Sequence, residues 1–147
     1  MNKSFKGRAI AGGQWQGKCV VSKHGFNTFA SFKNSILHGH SKVLVSDQNN
    51  EDLYKKNITG VALCLPQTIG STTGGMILQT VCALGINPSA MLFSEHIDSL
   101  AASGIVLAKI WENSNIIAID QLGREFLDYA KSGMDIEILA DGTVNFN

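Results

Sequence analysis

The sequence is poor in charged residues and has no excess of either sign. Only 16% of its 147 residues are Asp, Glu, Lys or Arg, and twelve basic residues balance twelve acidic ones. A typical soluble domain carries charge on roughly a quarter of its residues. The balance argues against a basic face and against nucleic acid as a partner. The low charged fraction leaves two interpretations open, a surface partly covered by another chain or an ordinary monomer of modest charge.

The sequence also lacks a long apolar run. No segment approaches the roughly 20 apolar residues that a membrane-spanning helix needs. The basic start, residues 1–8, is not followed by the apolar stretch of a signal peptide. With 44% hydrophobic residues the chain can build a core, and its length is typical of one domain. We therefore expect a single cytoplasmic domain over residues 1–147 that does not bind membranes.

Cysteines are few and widely spaced. Cys19, Cys64 and Cys82 form no C-x-x-C pair and are too few for a disulfide framework. Cys64 lies in an apolar run and Cys82 in a helical pattern, where a free cysteine behaves as a small buried hydrophobe. Their spacing gives little support to an iron–sulfur cluster. We expect a reduced protein in a reducing compartment, with no cofactor or metal held by this chain.

Hydrophobic patterning predicts a mixed α/β domain with a small parallel core and antiparallel hairpins at both ends. Strands are predicted at residues 7–11, 15–22, 42–46, 58–65, 90–93, 116–119, 134–139 and 143–146. Helices are predicted over 72–84, over 95–102 with Ser94 as N-cap, over 105–111 and, as a turn or two, over 123–131. Gly85 is the expected C-cap residue of the first helix, and Asp141-Gly142 is the expected turn of the last hairpin.

Residues 23–40 show no clean period and are expected to form a long loop. A loop of this length inside a compact domain is usually functional or disordered. Its three phenylalanines are Phe26, Phe29 and Phe32, and they either pin the loop to the core or line a cleft or a partner contact.

The stretch 58–75 carries the strongest functional signal. It has the pattern of a buried strand, a turn and the start of a helix. Folds of the α/β class place chemistry at the carboxyl ends of strands, and N–H groups at a helix start attract anionic groups. Gly70 and Gly74 would let the backbone approach a ligand, and residues 71–73 supply hydroxyls. The same pattern fits simple N-capping, and it contains neither a P-loop nor a nucleophile elbow.

The stretch 60–75 resembles the strand, proline and Gly-Ser-[Ser/Thr] turn of the aconitase X small subunit. The likeness extends over nearly the whole chain, although the Gly70-Ser71 region is the part that is specific by itself. It includes Gly7-Arg8-Ala9-Ile10, Gly17-Lys18-Cys19-Val20-Val21-Ser22, Ser31-Phe32, Asn87-Pro88-Ser89-Ala90-Met91, Ser103-Gly104-Ile105-Val106-Leu107-Ala108 and the closing hairpin at 133–146.

The resemblance implies a swivelling β/β/α domain that works with a separate large subunit carrying an iron–sulfur cluster. It implies dehydration of a small hydroxy acid such as cis-3-hydroxy-L-proline or, in archaea, phosphomevalonate, at a site between the two subunits. Ser71 would be the catalytic base that takes the substrate proton. The residues expected to bind substrate are Gly70, Thr72, Thr73, Ser31, Phe32 and Lys33.

The chain departs from the family pattern after Ser31-Phe32. The family continues with an aromatic or apolar residue, two glycines and an acid, whereas this chain has Lys33-Asn34-Ser35-Ile36 and then His38-Gly39-His40. The two histidines are too few to bind a metal on their own. The departure leaves open a non-catalytic ligand-binding or regulatory module with the same fold. A self-contained hydrolase is disfavoured because no spacing of Ser71 and the histidines favours a catalytic triad.

Overall fold

The computed structural model describes residues 3–70, 73–111 and 116–147. The strands are β1 (Lys3–Lys6), β2 (Arg8–Ala11), β3 (Trp15–Val21), β4 (Phe26–Asn27), β5 (Ala62–Leu65), β6 (Thr68–Ile69), β7 (Ala90–Phe93), β8 (Ile117–Asp120), β9 (Asp135–Ile138) and β10 (Thr143–Phe146). The helices are α1 (Thr28–Leu37), α2 (Gly74–Ala83), α3 (Ser99–Trp111) and α4 (Arg124–Tyr129). Within these ranges, every helix is too short or too polar to cross a membrane.

Most of the strands join one large mixed sheet. Within the described ranges, its order is β1-β10-β9-β3-β5-β7-β8-β2. The central strands β3, β5, β7 and β8 run parallel, and the strands outside them pair antiparallel. The two edge strands β1 and β2 follow each other in the chain around Gly7, so the N-terminal segment lies along both edges of the sheet. A short second pair, β4 with β6, runs parallel beside the main sheet.

The parallel strands are buried on both faces, as their continuous apolar runs predict. Side chains that alternate along β5 and β7 enter two separate cores. Leu63, Leu65, Met91 and Phe93 pack toward α1, α2 and α3, whereas Ala62, Cys64, Ala90 and Leu92 pack toward β9, β10 and α4. The layers are therefore antiparallel strands, parallel strands and helices, which confirms the predicted swivelling β/β/α class.

The expected long loop at 23–40 is wrong, because α1 fills most of it. Asn27 caps this helix by accepting a hydrogen bond from the Ala30 N–H at 3.0 Å. The buried side of the helix carries Thr28, Ser31, Phe32 and Ser35. This spacing is helical, but two of the buried side chains are serines, so hydrophobicity alone does not reveal the period.

Two of the three phenylalanines in this region pin it to the core. Phe26 and Phe32 are fully buried and meet edge to face, with ring centroids 5.6 Å apart. Phe29 is instead exposed on α1.

The gap predicted between a helix over 95–102 and a helix over 105–111 is also wrong, because α3 continues through Gly104. A Cβ atom at Gly104 would lie 2.3 Å from the carbonyl oxygen of Gly75 in α2. The absence of a side chain at Gly104 therefore allows two helices to cross at close distance, and the glycine does not end a helix. The helix begins later than predicted and is capped by Asp98, whose Oδ1 accepts from the Ala101 N–H at 2.8 Å, and not by Ser94.

The predicted C-terminal hairpin is confirmed by the pairing of β9 with β10. Gly85 follows α2 as predicted, with the Gly85 N–H donating to Cys82 O and the Ile86 N–H donating to Val81 O. The N-terminal hairpin is wrong, because β2 pairs with β8 and β3 pairs with β5 and β9. The strand expected at 42–46 is reduced to one bridge between Leu44 and Asn57.

Candidate functional site

A cleft of about 250 Å³ opens on the edge of the molecule that follows the carboxyl ends of β3, β5 and β7. Its walls come from the segments that connect these strands to the helices. The lining residues are Thr28, Thr68, Ile69, Gly70, Gly74, Asp98, Leu100 and Ala101. This is where parallel α/β sheets usually bind ligands.

The amino ends of three helices meet at this cleft. Thr28 and Gly74 are the first residues of α1 and α2, and Ala101 lies in the first turn of α3. The N–H groups of a first helical turn have no partner within the helix, and the helix dipole places a partial positive charge there. The arrangement therefore suits a ligand with an anionic group, such as the carboxylate of a small acid.

A short strand pair positions the cleft wall. β4 and β6 align Phe26 with Thr68 and Asn27 with Ile69, so the turn after β5 lies directly beside the start of α1. Gly70 has a φ of 101°. A Cβ atom there would also lie 2.8 Å from Asn27 Nδ2. Position 70 therefore requires glycine for two reasons, which are the positive φ and the close contact with the Asn27 side chain.

Among the described residues that line the cleft, only Asp98 has a charged side chain. Its Oδ1 caps α3, and its Oδ2 accepts a hydrogen bond from the Thr68 hydroxyl. The carboxylate thereby links strand β6 to the start of α3. It also places a negative charge at a helix amino end, where it offsets part of the positive potential.

An ion pair between a half-exposed arginine and a buried aspartate supports the loop that carries Asp98. Asp120, at the end of β8, has no exposed surface and binds Arg8 in bidentate fashion, through Nε at 3.0 Å and Nη2 at 2.8 Å. Its Oδ2 also accepts from the Ile97 N–H at 2.9 Å. Burial raises the pKa of the Asp120 carboxyl, but the hydrogen bonds from Arg8 and Ile97 outweigh it, so the net pKa lies below its usual value.

The cysteines are divided between the two cores. Cys19 and Cys64 lie on the side of β9 and β10, whereas Cys82 lies on the helical side. The parallel sheet separates them, so the three thiols cannot ligate one iron–sulfur cluster. In the described part of the chain, no three His, Cys, Asp or Glu side chains are grouped to hold a metal ion.

Comparison with known proteins identifies the family. The model of the aconitase X swivel domain matches residues 4–146. The chain belongs to the aconitase X swivel-domain family. This confirms the resemblance inferred from the Gly70-Ser71 turn.

Two curated relatives are phosphomevalonate dehydratase small subunits. The protein from Methanocella arvoryzae is 28% identical over 95% of this chain and 93% of its own length. The protein from Thermococcus onnurineus is 27% identical over 93% of this chain and 92% of its own length. Both names denote a hydro-lyase subunit, so the predicted enzyme class, an aconitase X-type dehydratase subunit, is confirmed at that level. For these two relatives, the words "small subunit" imply a large-subunit partner.

Solved structures agree on the fold. Thermococcus kodakaraensis aconitase X, in its holo form, superposes with a TM-score of 0.82 at 21% identity, over 99% of this chain and 98% of that one. The solution structure of a UPF0107 protein gives a TM-score of 0.78 at 20% identity, over 99% of each chain. At these identities the likeness concerns the fold alone.

Within this aconitase X swivel domain, the predicted site residues fall into separate groups. Gly70 lines the cleft, and Thr73 is exposed at the start of α2. Ser71 and Thr72 lie outside the described residues. The assignment of Ser71 as catalytic base therefore stays a prediction.

The other predicted substrate contacts lie on α1 and do not line the cleft. Ser31 and Phe32 are fully buried in the helical core. Lys33 is exposed, with its Nζ 6.0 Å from the ring centroid of Phe29. Their assignment as substrate contacts stays a prediction, and the burial of Phe32 is explained by its packing on Phe26.

The sequence pattern does not reveal the cleft residues Thr28, Thr68 and Asp98. Thr28 lies in the segment predicted to be a loop, whereas in the structure it begins α1. Asp98 had a usable signal, because Asp followed by Ser-Leu-Ala-Ala is a common helix start. Thr68 had no such signal, since its importance comes from its contact with Asp98, thirty residues along the chain.

Proposed function

We propose that this chain is the small subunit of an aconitase X-type dehydratase that removes water from a small hydroxy acid, with cis-3-hydroxy-L-proline as the first candidate. The observation that carries the proposal is the cleft at three helix amino ends, one wall of which is Gly70 of the family's Gly-Ser turn. Ser71, the proposed base, follows Gly70 directly in the chain.

The chemistry requires a proton to leave carbon and a hydroxyl to leave the neighbouring carbon. A serine oxygen accepts a proton from carbon only if its alkoxide is stabilised. Helix N–H groups and dipoles provide that stabilisation where water is excluded. The amino ends of α1 and α2 would serve this purpose and would also orient the substrate carboxylate, since the potential at the start of α3 is offset by the Asp98 carboxylate. Loss of the hydroxyl would be assisted by a Lewis-acidic iron–sulfur cluster, which we expect in the large subunit.

The charge of the cleft supports an amino acid as substrate. Asp98 lines it, and neither Lys nor Arg is among the described lining residues. Two like charges about 4 Å apart repel by about 4 kcal/mol at an effective dielectric constant of about 20. A phosphate dianion near Asp98 would be opposed by this repulsion, whereas the ammonium group of hydroxyproline would be attracted.

Phosphomevalonate is the second candidate, because the two curated relatives are named phosphomevalonate dehydratase small subunits. For that substrate, the cations facing the phosphate would have to come from the large subunit.

The test is dehydration of both compounds by the chain reconstituted with its large subunit. We expect Ser71→Ala to lower kcat by about 100-fold or more while the complex still forms, since general base catalysis typically contributes 10²–10⁴-fold. Thr80→Ala is the matched control, because it removes an exposed hydroxyl from α2 and should leave turnover unchanged. The isolated chain should be inactive.

Normal turnover by the reconstituted Ser71→Ala protein would overturn the base assignment. If that variant instead lost thermal stability and neither compound was dehydrated by the wild-type complex, the non-catalytic module would be the better description.

A further inference from the structure

Thr28, the first residue of α1, is almost completely buried in the wall of the cleft. It lines the cleft and is only 2% exposed. Among the residues that the structure describes, none forms a hydrogen bond with the Thr28 hydroxyl. Buried hydroxyls nearly always have a partner, because leaving one unpaired costs stability. The exception at Thr28 is best explained by a ligand that supplies the partner.

The Thr28 hydroxyl faces the start of α2. A Cβ atom at Gly74, the first residue of α2, would lie 3.7 Å from Thr28 Oγ1 and 3.8 Å from Thr28 Cβ. Both residues line the cleft. A side chain at position 74 would therefore cover the hydroxyl, whereas glycine leaves it open to a bound molecule.

The other polar side chains of the cleft are already engaged. The Thr68 hydroxyl donates to Asp98 Oδ2, and Asp98 Oδ1 accepts from the Ala101 N–H. Among the described lining residues, Thr28 is thus the polar side chain that makes no hydrogen bond of its own.

The electrostatics of the helix ends favour an anion beside Thr28. Neither α1 nor α2 has an acidic residue in its first turn, and the N-cap residue of α2, Thr73, makes no side-chain capping hydrogen bond. At the start of α3, by contrast, the Asp98 carboxylate offsets the positive potential. Of the three helix ends, those of α1 and α2 are therefore the better place for a negatively charged group.

We propose that the Thr28 hydroxyl binds the substrate carboxylate, which would lie at the amino ends of α1 and α2. The hydroxyl would donate to one carboxylate oxygen, and N–H groups at the start of α2 would donate to the other. The ammonium group of an amino-acid substrate would then face Asp98. The inference rests on the proposed function for a hydroxy acid as substrate, and it holds for both candidates because each carries a carboxylate.

The test is the Kd of L-proline for the complex of this chain with its large subunit. L-Proline has the carboxylate and the ammonium group of hydroxyproline but no hydroxyl to lose, so its binding is measured without turnover. We expect Thr28→Val to raise this Kd by about 10-fold or more, because a hydrogen bond to a charged group is lost. Thr28→Ser keeps the hydroxyl and should bind L-proline with close to the wild-type Kd.

L-Prolinamide, in which a neutral amide replaces the carboxylate, separates recognition of charge from packing. Hydrogen bonds to ionised groups are roughly twice as strong as neutral ones, so Thr28→Val should weaken this ligand by only about threefold. Thr80→Val is the matched control, because Thr80 is an exposed residue of α2 that does not line the cleft. It should leave both Kd values unchanged. Thr28→Val should keep the wild-type Tm, since its hydroxyl has no partner among the described residues.

The inference is overturned if Thr28→Val binds L-proline as tightly as the wild type, or if it weakens L-proline and L-prolinamide by the same factor. It is also overturned if the wild-type complex does not bind L-proline. Turnover decides the proposed function separately. A complex that binds L-proline through Thr28 but dehydrates neither hydroxyproline nor phosphomevalonate contradicts the function and leaves the carboxylate site standing.

Discussion

Asp98 combines a structural and an electrostatic effect in one side chain. It caps α3 through the Ala101 N–H and holds the β6 turn through the Thr68 hydroxyl. Asn caps helices about as well as Asp. The two effects can therefore be separated by a substitution that keeps the cap and removes the charge.

In the reconstituted enzyme, we expect Asp98→Asn to raise KM for cis-3-hydroxy-L-proline by about 10-fold or more, because a charge-assisted hydrogen bond contributes roughly 1.5–3 kcal/mol. For phosphomevalonate, KM should fall, because the repulsion of the phosphate is removed. Steady-state kinetics with both substrates measure the split. Glu95→Gln is the control, since this exposed carboxylate does not line the cleft. Equal changes in KM for both substrates would show that Asp98 does not discriminate charge.

The elements around the site are held by the crossing of α2 and α3. Gly75 and Gly104 meet there without side chains, so the two helices approach closely and their amino ends share one cleft. Since a Cβ atom at either position would collide with backbone of the other helix, neither helix can relieve the contact by moving a side chain.

We expect Gly104→Ala to lower the free energy of unfolding by about 1–3 kcal/mol, because overpacking outweighs the gain of about 1 kcal/mol in helix propensity. Urea unfolding checks the value. Ser103→Ala is the control, because this neighbouring residue of α3 is exposed and the change should stay within about 0.5 kcal/mol. If Gly104→Ala raised the free energy of unfolding, the two helices would have to move apart at little cost in free energy, which would contradict this prediction.

At the scale of the whole molecule, the Arg8–Asp120 pair joins parts that are distant in sequence. Arg8 lies on edge strand β2, Asp120 ends β8, and Ile97 lies in the loop before α3. The pair thus connects edge strand β2 to the loop that contains Asp98. A group whose pKa is lowered by folding stabilises the protein above its unfolded pKa and loses that effect as pH falls through the folded value.

We expect Asp120→Asn to destabilise the protein by about 2 kcal/mol near pH 7, because buried hydrogen bonds to a charged group are lost. The difference from wild type should begin to shrink as pH falls below about 4, because the carboxyl of the unfolded chain, with its usual pKa of 3.8, then binds protons while the folded carboxyl, whose pKa is lower, stays ionised. The difference is lost fully only when pH falls through that lower folded-state pKa. Unfolding measured between about pH 2 and pH 7 tests this. Asp135→Asn, which removes an exposed pair with Lys18, should cost less than about 1 kcal/mol. A pH-independent difference would contradict the argument.

Local patterns in the sequence were sufficient for several elements and for the family. The apolar run at 58–65 and the turn at Gly70-Ser71 predicted a strand buried on both faces followed by a helix, and both are present. The Asp141-Gly142 turn predicted the final hairpin. These features depend on residues close together in the chain, whose periodicity and turn preferences are visible without any partner.

Tertiary structure decided the rest. The strands that pair with β2 and β3 are distant from them in the sequence. The buried side of α1 contains polar residues, and its burial is explained only by the core that packs against it. The cleft exists because Thr68 and Asp98, thirty residues apart, meet beside three helix amino ends. Sheet register, helix crossings and convergent polar contacts are set by long-range packing, which leaves no local period in the sequence.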